Sequence, residues 1–114
     1  RILIAQRNAG SRRALMWEFP GGKIRPGESS KACIIRELNE ELAITVRPRK
    51  RLPAIRHRYP DLLIRLIPWI CTVEHGSLRL LEHRASQWLR PHSSARVKWS
   101  GADAKVWKEY LKTK

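Results

Sequence analysis

Three glutamates lie within five positions of a chain that is otherwise short of acidic residues. They are Glu37, Glu40 and Glu41, in the stretch RELNEEL. The 114-residue sequence has 24 Lys and Arg against 10 Asp and Glu, a formal net charge of +14. Carboxylate oxygens are ligands that Mg²⁺ and other hard cations prefer. The cluster therefore has the composition of a divalent-metal site, and its structural alternative is a solvated acidic face of a helix.

A helix predicted over residues 29–42 would place the three carboxylates on one side. At about 100° per residue, Glu37, Glu40 and Glu41 share an arc of roughly 100°. Like charges at these spacings repel each other by a few tenths of a kcal/mol per pair, so a bound cation would explain why they are gathered. A neighbouring apolar arc is expected to pack on a sheet and contains Ile34, Ile35, Leu38 and Leu42.

The elements around this helix predict a mixed α/β or α+β domain. Ser29 or Ser30 is the expected N-cap of the helix, and the preceding residues 16–28 contain enough Pro and Gly to form an ordered, turning loop. A turn is predicted at Pro60 and Asp61. Strands are predicted at residues 1–5, 52–59 and 62–74 and at the end of 75–89, and a second helix at residues 101–114.

Length and composition indicate one domain with a single modest core. No apolar run reaches the roughly 18 residues of a membrane span, so no membrane partner that requires a spanning segment is predicted. Nothing at the start resembles an export signal, and the default location is the cytoplasm. Cys33 and Cys71 lie in apolar segments and are expected to be buried free thiols, with a disulfide or metal role as the alternative. Because the chain opens on Arg1 directly in a strand, we expect a further segment to precede it.

The isoelectric point near 11.1 favours a polyanionic partner, which could be a nucleotide, a nucleic acid or a membrane surface. The basic residues are scattered, and RPRKR at residues 47–51 is the only dense run. That run predicts either a solvated loop or edge strand, or a nucleic-acid site. Charge alone therefore does not identify a function.

Residues 22–44 resemble the Nudix box of hydrolases that act on nucleoside-diphosphate-linked substrates. The box reads Gly, five residues, Glu, seven residues, Arg-Glu, apolar, any, Glu-Glu, any, Gly, apolar. Ala43 stands where the family usually has Gly, a departure that affects the expected helix end but none of the ligands. The matching positions are Gly22, Glu28, Arg36, Glu37, Leu38, Glu40, Glu41 and Ile44.

The similarity extends over nearly the whole chain, and WEFPGGK at residues 17–23 is typical of the MutT-like branch of this family. The resemblance implies a single Nudix domain over residues 1–114. It also implies an α/β/α sandwich around a mixed β-sheet, whose first strand would precede Arg1.

The resemblance also implies a ligand set for Mg²⁺ or Mn²⁺. Glu37, Glu40 and Glu41 would be metal ligands together with the Gly22 carbonyl. Arg36 would orient Glu37, and Glu28 would brace the loop by pairing with basic residues. Glu82 keeps the spacing of a further family carboxylate, so it is either an additional ligand or water-activating base, or ordinary solvated surface.

Substrate contacts are implied at three further positions. Arg7 and Lys23 would bind substrate phosphate, and the alternative for each is an exposed basic residue. Asp103 would hydrogen-bond the base edge, or serve as the N-cap of the closing helix, or do both. Asp donates a hydrogen bond only when it is protonated, so base preference could differ from that of relatives with Asn.

The function implied is metal-dependent hydrolysis of a nucleoside triphosphate to monophosphate and pyrophosphate, with oxidised nucleotides such as 8-oxo-dGTP among the candidate substrates. Nucleic acid is a conceivable partner but is not required. One alternative is a Nudix hydrolase acting on an RNA 5′ end, a dinucleotide or ADP-ribose. The other is a non-catalytic Nudix-like module that binds nucleic acid.

Overall fold

The structure, a computed structural model, describes residues 1–91 and 96–114 of the chain. It is a mixed α+β domain, as the sequence predicts, and the described residues form two helices and three small sheets. The helices are α1 (Ser30–Leu42) and α2 (Gly101–Leu111). The strands are β1 (Ile2–Gln6), β2 (Trp17–Glu18), β3 (Thr45–Arg51), β4 (Ile55–Tyr59), β5 (Leu62–Leu66), β6 (Trp69–His75) and β7 (Ala85–Leu89).

The three sheets have the orders β2-β1-β7, β3-β6 and β4-β5. Their ladders are antiparallel. An isolated parallel bridge joins Trp17 to Trp99, so both directions of pairing occur in the described residues. This bridge holds the segment before α2 against β2, because Trp17 also donates to the Lys98 carbonyl and accepts from the Ser100 amide, both at 2.8 Å.

Helix α1 packs on β3 through the apolar arc that the sequence predicts. Leu38 and Leu42 form a buried cluster with Ile44 and Val46, and Leu42 is fully buried. Ile34 and Ile35 pack against the same cluster. Burying this arc fixes the rotation of α1 and therefore the direction in which its glutamates point.

Both ends of α1 are set by local geometry. Ser29 is the N-cap, with its hydroxyl accepting from the Ala32 amide at 3.0 Å. At the other end Ala43 adopts the left-handed conformation, with φ 57° and ψ 31°, and its amide donates to the Asn39 carbonyl. The helix thus ends where the family's Gly would end it, although the Cβ of Ala43 makes that conformation less favourable.

The prediction of one continuous strand over residues 62–74 is wrong. This segment is divided into β5 and β6 around Pro68, whose ring nitrogen cannot donate to a ladder. The Pro68 carbonyl instead accepts from the Leu52 amide at 2.9 Å. The basic run at 47–51 lies in β3, which is an edge strand of its two-stranded sheet, one of the two alternatives predicted for it.

Helix α2 is anchored to β4 by the Tyr59 hydroxyl. This group contacts the Ser100 hydroxyl at 2.6 Å and accepts from the Ala102 amide at 2.9 Å. Trp99 packs against both Phe19 and Trp107, with ring centroids 5.2 and 5.8 Å away. These contacts connect the loop after β2 to the first turns of α2.

The two cysteines are free thiols, as expected; Cys33 is buried and Cys71 is half-buried. Burial raises the pKa of both thiols. No helix in residues 1–91 and 96–114 is both long enough and apolar enough to span a membrane.

Candidate active site

The Glu37 carboxyl lies directly over the backbone of Gly22. A Cβ at position 22 would be 2.3 Å from the Glu37 Cδ and 2.5 Å from each of its oxygens. The Gly22 carbonyl also accepts from the Cys33 thiol at 3.7 Å. Glycine at 22 is therefore required for Glu37 to occupy its place, and the structure brings these two predicted ligands together.

Arg36 connects α1 to the loop that precedes it. It binds Glu28 with two hydrogen bonds, Nε to Oε2 at 2.7 Å and Nη2 to Oε1 at 2.9 Å. It also donates to Glu37 Oε1 at 2.8 Å, to Glu40 Oε2 at 3.2 Å and to the Lys23 carbonyl at 3.1 Å. The Arg36 guanidinium lowers the pKa of Glu28 to about 2. One arginine thus holds two site glutamates and braces the loop through Glu28.

Glu41 is the buried carboxylate of the cluster, with 5% of its surface exposed. Its Oε2 accepts from the Gly21 amide at 3.3 Å. Burial raises the pKa of the Glu41 carboxyl to about 8; the charge of His83 opposes the shift, and the charges of Glu37 and Glu82 add to it. A carboxylate buried beside two others is stabilised in its ionised form by a bound cation.

The carboxylates of the site fit a hard divalent cation in their chemistry. In residues 1–91 and 96–114, however, no three His, Cys, Asp or Glu side chains already converge at metal-binding distance. Glu40 is half-exposed and Glu37 is bound to Arg36. The fit of a divalent cation therefore rests on the oxygen ligands that these carboxylates provide and on the raised pKa of the buried Glu41 carboxyl.

Glu41 opens into a small cleft of about 220 Å³ that also contains Glu82 and Arg7. Glu82 is exposed at the rim, and its carbonyl accepts from the Asn8 side chain at 2.5 Å. The structure therefore places Glu82 beside the carboxylates of α1, although about 40 residues separate them in the sequence. The remaining lining residues are Asn8, Ser11, Glu18, Gly21 and His83.

Sequence reasoning missed Glu18 and His83. Glu18 Oε1 accepts from Arg7 Nη1 at 2.8 Å, and its Oε2 lies 2.9 Å from His83 Nε2. Burial alone would raise the pKa of Glu18, but its hydrogen bonds to His83 and Arg7 outweigh burial and leave that pKa lowered. The hydrogen bond to Glu18 in turn raises the pKa of His83. The one sequence signal for His83 is that it directly follows Glu82, a predicted site residue.

Of the two residues predicted to bind phosphate, one lies in the cleft and the other does not. Arg7 lines the cleft, where its Nη1 is paired with Glu18 and its Nε donates to the Arg12 carbonyl at 2.7 Å. Lys23 is exposed, and its carbonyl is what contacts Arg36. The structure therefore brings Arg7 to the cleft, while the Lys23 side chain is not among its lining residues.

Asp103 lies in the first turn of α2 and is 8% exposed. The prediction that it caps this helix is wrong, because Ser100 is the N-cap and Asp103 is inside the helix. The Asp103 carboxylate instead accepts from the Phe19 amide at 2.9 Å. Burial raises the pKa of Asp103 to about 7, and the charge of Glu18 contributes to the shift.

The chain belongs to the Nudix family: the NUDIX domain matches residues 1–109. It is a MutT-type hydrolase that acts on phosphoanhydride bonds. The hydrolases of this family generally use divalent metal ions.

Among its relatives is the CTP pyrophosphohydrolase of Escherichia coli K12, 33% identical over 111 residues that cover 97% of this chain and 82% of that protein. An 8-oxo-dGTP diphosphatase of the same organism is 33% identical over 88 residues, 77% of this chain and 68% of that protein. The solution structure of the E. coli ORF135 protein superposes with a TM-score of 0.80 at 32% identity, covering 96% of this chain and 79% of that one.

Proposed function

We propose that the protein is a metal-dependent nucleoside triphosphate pyrophosphohydrolase that converts an NTP or dNTP to the monophosphate and pyrophosphate. The observation that carries this proposal is the burial of Glu41 beside Glu37 and Glu82 in a cleft that also holds Arg7. Such a cleft combines ligands for a cation with a donor for phosphate oxygens. The names of the two E. coli relatives support the same reaction class.

Glu37, Glu40 and Glu41, with the Gly22 carbonyl, would hold Mg²⁺ or Mn²⁺, and Glu82 would be either an additional ligand or the water-activating base. A metal ion bound there lowers the pKa of the attacking water and neutralises charge on the phosphate oxygens. In this scheme Arg36 holds Glu37 in place through its 2.8 Å hydrogen bond.

Side chains of the protein would carry out proton transfer and phosphate binding. A water oxygen forms a bond to phosphorus, the bridging P–O bond breaks, and the bridging oxygen leaves with the other product. Glu82, an exposed carboxylate that lines the cleft, would accept the proton of that water if it acts as the base rather than as a ligand. Arg7 would bind phosphate oxygens in the cleft. Lys23, which is exposed on the loop before α1, would bind a phosphate oxygen from the surface of that loop.

Base recognition is assigned to Asp103, whose pKa near 7 leaves a protonated fraction that can donate to a base edge. Its carboxylate now faces the Phe19 amide, so this role requires the segment around Phe19 to move aside. CTP and 8-oxo-dGTP are the first substrates to test, since they name the activities of the E. coli relatives.

One alternative remains as a competing proposal. The net charge of +14 favours a Nudix hydrolase acting on a larger anionic substrate such as an RNA 5′ end, with a dinucleotide or ADP-ribose in the same group. The non-catalytic nucleic-acid-binding module considered from the sequence is wrong, because the chain is a hydrolase that acts on phosphoanhydride bonds. A cytoplasmic location is the setting we propose for either activity.

The test is product analysis by ion-exchange chromatography with a substrate panel, in Mg²⁺ and in EDTA. The panel contains the normal NTPs and dNTPs, 8-oxo-dGTP, 5-substituted CTP, ADP-ribose, a dinucleoside polyphosphate and 5′-triphosphate RNA. Mg²⁺-dependent release of pyrophosphate and monophosphate supports the proposal, and the preferred substrate identifies the base. Turnover only of ADP-ribose, the dinucleotide or RNA favours the alternative. No turnover of any nucleoside triphosphate in the panel would contradict the proposal.

A further inference from the structure

The hairpin formed by β4 and β5 has one face on α2 and one face open. Along β4, residues of the inner face alternate with residues of the open face. His57 and Tyr59 belong to the inner face: Tyr59 is buried against α2, and the His57 ring lies 4.5 Å from the Tyr59 ring, centroid to centroid. The intervening residues Arg56 and Arg58 are exposed. On β5, Arg65 and Leu63 are their direct partners and are exposed as well. The open face therefore consists of three arginines and one leucine.

Arg56 and Arg65 are directly opposite each other in the ladder. Like charges in this position destabilise a pair of strands, because side chains of direct partners lie only about 5 Å apart. Arg58 is two residues from Arg56, about 7 Å along the strand. The sequence thus concentrates positive charge on this face at a cost to folding, which points to a partner outside the chain.

No carboxylate side chain in residues 1–91 and 96–114 forms an ion pair with this face. Seven of the ten acidic residues belong to the active-site region or are buried in α2, and these are Glu18, Glu28, Glu37, Glu40, Glu41, Glu82 and Asp103. Asp61 is paired with Arg12 and Arg13, Glu74 with Arg47, and Glu109 with Lys112. In the described part of the chain, Arg56, Arg58 and Arg65 therefore form no ion pair.

We propose that the open face of the β4–β5 hairpin binds the phosphate backbone of nucleic acid. All three cations are arginines, whose planar guanidinium groups bind phosphate oxygens with paired hydrogen bonds. Three of them within about 7 Å exceed what one small phosphate requires and match a polymer with regularly spaced charges. A membrane surface fits less well, because Leu63 is the face's one apolar side chain. The face has no aromatic residue for base stacking, so binding is independent of sequence.

This site is separate from the cleft that contains Glu41 and Arg7, since none of its residues lines that cleft. It would hold the hydrolase on nucleic acid while the cleft remains open to nucleotides. The two proposals can fail independently, because loss of nucleic-acid binding leaves nucleotide turnover unchanged.

The test measures binding of a fluorescent mixed-sequence single-stranded 20-mer by anisotropy, with the full chain, between 50 and 400 mM salt. The first variant combines Arg56→Gln, Arg58→Gln and Arg65→Gln. The control combines Lys108→Gln, Lys112→Gln and Lys114→Gln, which removes the same charge from the far end of α2. Vesicles containing phosphatidylserine and soluble inorganic phosphate are the competing ligands.

Loss of three phosphate contacts should reduce the slope of log K against log salt by about 2, equivalent to roughly 100-fold weaker binding at 0.1 M salt. The control should change the slope by less than half as much. The hairpin variant should also melt at a higher temperature than the wild type, since the opposition of Arg56 and Arg65 is removed. Equal losses in both variants, preference for vesicles over the 20-mer, or no binding by the wild type would overturn the proposal.

Discussion

The Asp103 carboxyl makes the stability of the protein depend on pH in a direction opposite to that of most acidic residues. It is 8% exposed, and its hydrogen-bond donor is the neutral Phe19 amide. Burial is the main reason that its pKa rises from an ordinary value of 3.8 to about 7. The unfolded chain therefore releases this proton near pH 4, whereas the folded chain retains it until about pH 7.

Because the folded pKa is higher, the favourable contribution is complete below pH 4, declines as pH rises, and is lost once pH passes 7. The difference of about three pKa units corresponds to an upper limit of about 4 kcal/mol in the free energy of unfolding. Asp103→Asn keeps an oxygen acceptor for the Phe19 amide and cannot ionise. The variant should therefore exceed the wild type's free energy of unfolding by only about 1 kcal/mol near pH 4.5 and by up to about 4 kcal/mol at pH 8.

The assay is urea unfolding of both proteins at half-unit intervals from pH 4.5 to 8.5. The difference between them cancels the titration of other groups, which the net charge of +14 makes substantial. Asp61→Asn is the control with the opposite sign, since the ion pairs of Asp61 with Arg12 and Arg13 lower its pKa. A difference between Asp103→Asn and wild type that stays constant with pH, or that favours wild type at pH 8, would refute the reasoning.

Three further predictions follow from single contacts. Gly22→Ala should reduce kcat by at least about 10-fold, because a Cβ at position 22 displaces the Glu37 carboxyl. This reduction corresponds to a loss of about 1.4 kcal/mol in transition-state stabilisation, and an unchanged kcat would contradict the prediction. Ala43→Gly should raise the free energy of unfolding by about 0.5 to 1 kcal/mol in urea titrations, since glycine adopts φ 57° without strain; a decrease would show that chain entropy outweighs the strain. Tyr59→Phe should lower the same quantity by about 1 to 3 kcal/mol by leaving the Ser100 hydroxyl without its partner, and a loss below measurement error would contradict it.

The helix of the box could be predicted because its determinants are local. The N-cap Ser29 precedes an apolar arc at helical spacing, and burial of Leu38 and Leu42 then fixes the side on which Glu37, Glu40 and Glu41 lie. The helix predicted over residues 29–42 from its residue pattern ends at Leu42 in the structure, although Ala43 lacks the conformational freedom of glycine. Local rules were sufficient for this part of the site.

Features that depend on distant parts of the chain could not be predicted. Glu18 and His83 meet because β1 aligns with both β2 and β7, a pairing that no local pattern encodes. The burial of Asp103 results from packing of α2 against the segment around Phe19, and it changes the role expected of that carboxyl. The break at Pro68 was visible in the sequence, but the apolar residues on both sides outweighed it in the strand prediction.

The most direct test of the central claim is the Mg²⁺ dependence of pyrophosphate release by wild type, Glu40→Gln and Glu109→Gln with the preferred nucleotide. Glu40 belongs to the proposed metal-binding cluster, whereas Glu109 pairs with Lys112 on α2. The account predicts that turnover requires Mg²⁺, that Glu40→Gln reduces kcat by at least about 100-fold, and that Glu109→Gln has wild-type activity. Turnover that persists in EDTA, or equal activity of Glu40→Gln and Glu109→Gln, would contradict it.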